Sequence, residues 1–183
     1  NGIHNAGVLV AEIETGTVKA YVGNITDTGD EHAECVDMIT APRSTGSILK
    51  PLLYAHALQE GTITPQSLLP DIPAHLAHYR PVNYHQQYDG VVPADRALRR
   101  SLNIPFVFLL HRYGLENFHF HLKKDGITSL DFPPAHYGLP LILGGAEASL
   151  WDLCGIYASM GRTLHHFFQK DGYYATDDFR QLA

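Results

Sequence analysis

The sequence predicts an α+β fold in which one β-hairpin precedes a mainly helical body. Two β-rich runs, Gly7–Ile13 and Val18–Gly23, flank the Gly-containing turn Glu14-Thr15-Gly16-Thr17, the pattern of a hairpin. From Lys50 onward, apolar residues recur at helical spacing in successive stretches separated by Gly or Pro. The composition, 45% hydrophobic and 17% charged, is that of a packed globular chain rather than a disordered one. A length of 183 residues suits one domain or a large piece of one.

The elements follow in order. After the hairpin, the polar and acidic stretch 24–37 reads as an exposed loop, and Ala41–Gly46 leads to a helix start. The run Lys50–Glu60 is helical and Gly61 stops it. Pro51 belongs in its first turn, because proline lacks an N–H and the first four amides of a helix have no partner. That places Ser47 at the helix N-terminus. Residues 63–93, rich in Pro, Tyr and His without a steady period, read as an irregular connection. A helix over Ala94–Arg100 breaks at Ser101-Leu102-Asn103, since Pro105 biases Ile104 away from helical geometry, and resumes from Phe106 to Arg112. Another helix covers Leu115–Lys124. The last runs from Leu150 to Met160, with Leu150, Leu153, Cys154 and Tyr157 on one face and Ser149-x-x-Asp152 as a capping box.

Charge and motif content narrow the function. A net charge of -6 repels phosphate backbones, so no nucleic-acid partner is expected. No apolar run approaches the roughly 20 residues of a membrane span, and Asn1–His4 lacks the features of a signal peptide, so targeting is expected outside this chain. Because the first residue is not Met, the chain is expected to be a processed product or a cut-out piece. Cys35 and Cys154 form no C-x-x-C and leave the redox compartment open. Of 12 histidines, the pairs His75/His78, His119/His121 and His165/His166 come nearest to a metal pattern. No Cys or carboxylate cluster in the sequence completes a ligand set, so neither metal nor cofactor is expected.

The chemistry centres on Ser47-Ile48-Leu49-Lys50. Positions three apart share a helix face, so Lys50 can bring its amine towards the Ser47 hydroxyl. A lysine whose pKa is lowered by desolvation can take the serine proton, and a helix N-terminus favours the negative charge that develops. S-x-x-K alone occurs by chance about once in a chain of this length. The second element, Ser101-Leu102-Asn103, falls in a break between helices. There it offers a hydroxyl to relay a proton and an amide to hold a lysine or a substrate carbonyl; a capping serine beside a turn asparagine reads the same way.

Together the two motifs resemble the active-site set S-x-x-K, S-x-N, K-[ST]-G of penicillin-binding proteins and serine β-lactamases. Ala41–Pro51, Arg80-Pro81-Val82-Asn83-Tyr84, Ala97–Pro105 and Gly144–Leu150 look like the transpeptidase domain of penicillin-binding proteins of the 1C type, over about Ala6 to Arg162. The resemblance implies acyl transfer in peptidoglycan cross-linking on D-Ala-D-Ala stem peptides, with β-lactams as covalent inhibitors. By that resemblance Ser47 would be the nucleophile and Lys50 its base. Ser101 would pass a proton to the leaving nitrogen, and Asn103 would hold Lys50 and the substrate backbone. The Ser47 amide would supply half of the oxyanion hole. An upstream glycosyltransferase domain and membrane anchor, and a place on the periplasmic face of the inner membrane, are implied in the same way.

One part of the pattern is absent. None of Lys19, Lys50, Lys123, Lys124 and Lys170 is followed by Ser-Gly or Thr-Gly. In the family that triplet lies on a sheet strand after the Gly-Gly-Ala-Glu stretch, so the expectation is a partial transpeptidase fold over residues 1–183, with the C-terminal strands missing and the hairpin short of sheet partners. A β-lactam-hydrolysing or β-lactam-sensing relative and a non-catalytic binding fragment remain as alternatives.

Overall fold

A computed structural model describes residues 2–26, 29–76 and 79–183; His78 lies outside them. In chain order the elements are β1 (Val8–Ala11), β2 (Val18–Val22), β3 (Arg43–Ser44), α1 (Lys50–Gln59), β4 (Leu68–Asp71), β5 (Gly90–Pro93), α2 (Ala94–Arg99), α3 (Asn103–Tyr113), α4 (Leu115–Asp125), α5 (Pro134–Tyr137), β6 (Glu147–Ala148) and α6 (Leu150–Gln169). The α+β class holds. The chain divides into two units, one of Asn1–Arg43, Lys123–Ser129 and Ala148–Ala183, the other of Ser44–Leu122 and Leu130–Glu147.

The first unit contains the hairpin. β1 and β2 pair antiparallel with Val8 opposite Val22, and α6 packs against β1. The predicted turn closes through Glu12 N–H to Thr17 O at 2.9 Å and Gly16 N–H to Glu12 O at 2.9 Å. Ala183 bonds to Gly16 O and Val18 N–H, so the hairpin end has a backbone partner within its own unit.

α6 runs nine residues past the expected end at Met160, as far as Gln169. The reason lies in Gly161 and Arg162. Gly161 packs on Ile13, while Arg162, 1% exposed, donates to Ile13 O at 2.7 Å, Glu14 O at 3.0 Å and Asp178 O at 2.5 Å. The buried face is Leu153, Ile156 and Ser159 with Gly155 and Ala158, not the predicted stripe, since Leu150 is exposed and Cys154 and Tyr157 half-buried. Those small residues let the C-terminal segment approach closely: Ser159 Oγ donates to Arg180 O at 2.7 Å. Half of the capping box forms, Asp152 N–H donating to Ser149 Oγ at 3.0 Å. The Asp152 carboxylate turns instead to Thr128, at 2.9 and 2.7 Å.

The second unit is built on α1, α2 and α3, with Leu49, Leu53, Ile104, Phe106, Leu109 and Leu110 fully buried. The connection 63–93 is less irregular than its composition suggests. Its two ends form the antiparallel pair β4–β5, Leu69 opposite Val92 and Asp71 opposite Gly90. Leu69 and Asp71 point inward while Leu68 and Val91 are exposed, the alternation of a half-buried strand. Pro70 and Pro93 hide that signal, which a two-stranded ladder tolerates because each strand has a free edge. α3 begins at Asn103, so Ile104 is helical after all. Pro105 is its third residue, where the amide needs no helical partner. α1 starts at Lys50, and Ser47 sits in the turn just ahead of it.

Two histidine pairs find separate roles. His119 Nε2 lies 3.1 Å from Phe132 O, and His121 Nε2 lies 3.0 Å from Glu60. The His165/His166 pair gains a carboxylate partner that sequence reading did not find: Glu14, from the hairpin turn, brings the three sets of donor atoms within 4.8 Å. His166 is clamped, with Nε2 2.6 Å from Glu14 and Nδ1 2.6 Å from Asp178. Both contacts suit an imidazolium with two N–H donors, and the hydrogen bond to Asp178, then that to Glu14, raises its pKa above the ordinary value.

A group with a raised folded pKa stabilises fully below its unfolded pKa, here about 6.5, and loses that contribution as pH rises through the folded value. The hairpin and α6 are therefore expected to lose amide hydrogen-exchange protection as pH rises from below about 6.5 through the raised folded value, after correction for intrinsic exchange. In His166→Gln that pH dependence should flatten.

Candidate active site

Lys50, the first residue of α1, is 1% exposed. Its Nζ donates to Ser101 O at 2.8 Å, to Asn103 Oδ1 at 2.8 Å and to Ser101 Oγ at 3.3 Å. An ammonium has three protons, and one short segment, Ser101–Asn103, supplies all three acceptors. The Phe106 ring lies 5.8 Å away, within cation–π range. Burial pushes the amine down from its usual value to about 8, roughly 3 kcal/mol against the charged form. A deprotonated Lys50 keeps two donors for Ser101 O and Asn103 Oδ1, leaving its lone pair for the cleft hydroxyl at 3.3 Å.

Ser47 is exposed and lines a cleft of about 410 Å³ with Ser101, Asn103, Asn83, Tyr84 and Arg100. The sequence expectation of a direct contact with Lys50 is met only through the backbone, Lys50 N–H donating to Ser47 O at 3.2 Å. Among the described residues, Ser47 Oγ is not a partner of Lys50 Nζ. All four residues singled out in the sequence thus gather here, with Ser101 and Asn103 on the lysine and Ser47 on the adjoining wall.

The Ser47 turn is held from behind. Thr45 N–H donates to Ala146 O at 3.1 Å and Ser44 Oγ to Gly144 O at 2.8 Å. A Cβ at Gly144 would lie 2.6 Å from Ser44 Oγ and 2.8 Å from Gly46 N, and φ there is +101°. Only glycine fits this close approach, which accounts for the Gly-Gly-Ala stretch beside the serine turn.

Ser101 ends α2 in a Schellman motif, its N–H donating to Leu98 O at 2.9 Å and the Leu102 N–H to Ala97 O at 3.0 Å. The position requires a left-handed residue, usually glycine, yet here a serine holds φ +51°. Asn103 opens α3, whose preceding residue Leu102 provides no side-chain cap. The cap comes from Asn83, whose Oδ1 accepts the N–H groups of Asn103 at 3.1 Å and Ile104 at 3.2 Å. Reading residue by residue gave Asn83 no role. An asparagine between Val82 and Tyr84 carries no local signal for a helix that begins twenty residues later.

The left-handed geometry yields a stability test on two variants that both lack the hydroxyl. Ser101→Gly is expected to be more stable than Ser101→Ala by about 1 kcal/mol, because a Cβ is penalised at positive φ. Equilibrium denaturation measures the difference.

Residues 6–160 match the family model of the penicillin binding protein transpeptidase domain. The chain is 40% identical over 155 residues to penicillin-binding protein 1C of Escherichia coli, covering 85% of this chain and 20% of that protein. It is 35% identical over 169 residues to penicillin-binding protein 1F of Bacillus subtilis, covering 91% and 21%. The chain thus spans about a fifth of the length of these curated relatives. In fold it resembles penicillin-binding protein 1A from Haemophilus influenzae, with a TM-score of 0.72 and 24% identity over 87% of this chain and 24% of that one. It also resembles PonA1 from Mycobacterium tuberculosis in complex with penicillin V, with a TM-score of 0.73 and 22% identity over 86% and 43%. With a lysine buried against a serine–asparagine turn at one wall of a cleft and a serine at the other, and with the family match running through both, the chain belongs to the transpeptidase family of penicillin-binding proteins.

Proposed function

We propose that residues 1–183 form part of a D,D-transpeptidase domain and carry the serine–lysine half of its site. The observation that supports this most is the Lys50 amine, buried, lowered to about 8 and held by Ser101 and Asn103 beside the Ser47 cleft. Ser47 Oγ attacks the carbonyl between the two D-Ala residues of a stem peptide, and its proton passes to Lys50. The C–N bond then breaks, Ser101 delivers a proton to the leaving nitrogen, and D-Ala departs. An amine of a second stem peptide attacks the Ser47 ester, the C–O bond breaks, and the serine recovers its proton. Asn103 holds Lys50 and the peptide backbone, and the Ser47 N–H donates to the oxyanion. A β-lactam enters as a substrate mimic whose ring opens on Ser47 without a departing amine. The working enzyme faces the periplasm, held by an anchor outside these residues.

A labelled penicillin tests these roles. Ser47→Ala should abolish the covalent adduct and Ser101→Ala should slow it; an adduct that persists in Ser47→Ala places the nucleophile elsewhere. Rapid turnover of the adduct would indicate a hydrolase instead. Since these residues carry no K-[ST]-G, the 183-residue chain alone should label about 10²-fold or more slowly than the same residues joined to that motif, the scale of one lost oxyanion donor. The base must be the free amine, so acylation should rise with pH up to about 8 and level off above it. A rate independent of pH across that range would rule out Lys50 as the base.

A further inference from the structure

Asn83 is 4% exposed and Asp71 is fully buried; neither is a hydrogen-bond partner of Lys50, yet both polar atoms of the Asn83 side chain are committed, Oδ1 to the turn that holds the lysine and Nδ2 to the groups behind it. Oδ1 accepts the first two amides of α3. Nδ2 donates to Asp71 Oδ1 at 2.6 Å and to Gln87 O at 3.0 Å. An amide side chain with both donor hydrogens and both acceptor sites used has one orientation only. Asp71 sets which one. Its second oxygen accepts the Asp89 N–H at 3.0 Å, and its backbone is tied into the β4–β5 ladder opposite Gly90. The neighbouring Val82 O accepts Asn103 Nδ2 at 2.9 Å. Asn103 is therefore gripped at its backbone by Asn83 and at its side chain by Val82, leaving Oδ1 aimed at Lys50.

We propose that Asn83, oriented by Asp71, is a positioning residue for Lys50: it caps α3 from another segment and so fixes where Asn103 and Ser101 present their oxygens to the amine. The proposal rests on the acyl-transfer reading of the cleft for its catalytic consequence, and on geometry alone for its effect on the lysine. Without the Asn83 oxygen, two buried amides at the start of α3 lose their partner. The turn then opens to find water, which hydrates Lys50 and lets it hold its proton more strongly. Asp71, the Arg100–Asp89 pair and, on α2, Arg96 and the Asp95–Arg99 pair are charged groups on the elements around the turn, so a variant without charge change gives the cleanest reading.

The test measures two quantities in Asn83→Ala: the Lys50 Nζ titration by NMR of lysine-labelled protein, and the rate of penicillin acylation against pH. The titration midpoint should rise from about 8 towards the usual 10.5. Acylation near neutral pH should slow by about 10²-fold, the scale of a 1 Å misplacement, with its rising limb moved to higher pH. The double variant Asp71→Asn, Asn83→Asp reverses the hydrogen bond between the pair while keeping both the cap and the Asp89 contact. It should recover much of the loss seen in Asp71→Asn alone.

Two results overturn the proposal: an unchanged Lys50 midpoint and pH profile in folded Asn83→Ala, or a double variant no better than Asp71→Asn. If Asn83→Ala does not fold, the Asp71→Asn comparison decides. Acylation is read on these residues joined to a K-[ST]-G segment; if that wild-type protein takes no penicillin, the acyl-transfer reading fails, and the titration still decides the positioning.

Discussion

The second unit of this chain depends on burying one lysine. A cation almost wholly removed from water needs its three protons satisfied, and the chain meets that need from two residues of one turn, Ser101 and Asn103. Much of the surrounding structure follows from that requirement. Those residues can converge on one point only in the sharp passage between α2 and α3. The passage requires a left-handed residue and a helix whose first amides are capped from elsewhere. Serine at φ +51° meets the first need at a cost in strain and keeps a hydroxyl in the cleft that glycine could not provide. Asn83 meets the second.

A buried cation does not by itself make a site, and the other unit shows why. Arg162 is as deeply buried as Lys50, 1% exposed in each case, and is also held by oxygens from distant segments. Its partners are backbone carbonyls, and a guanidinium keeps its proton at any physiological pH. It can tie a hairpin turn and a C-terminal turn to α6, but it cannot act as a base. Lys50 differs in that burial brings its titration close to neutrality, to about 8, and in having a cleft with two serine hydroxyls beside it.

The hairpin, α2, α4 and the start of α6 were legible in the sequence because their signals are local: alternation, helical spacing, a capping serine. Ser47, Lys50, Ser101 and Asn103 could be singled out because two short motifs fall in turns, and the structure gathers them at one cleft. What could not be read depends on distant partners. Pro105 by itself disfavours a helical Ile104, yet Asn83 caps that helix early enough to leave the proline in its first turn. β4 and β5 were hidden by Pro70 and Pro93 and exist because Leu69 and Val92 share a buried face. α6 continues past Met160 because Arg162 finds carbonyls near residue 14, which no window along the helix contains. For the same reason Glu14 could not be assigned to the His165/His166 pair.

The Lys50 amine itself tests the account most directly. Its titration in the unmodified chain, followed at Nζ or Cε by NMR, should have a midpoint near 8. A midpoint at the ordinary lysine value of about 10.5 would show an amine in contact with water, and would contradict a base poised by burial.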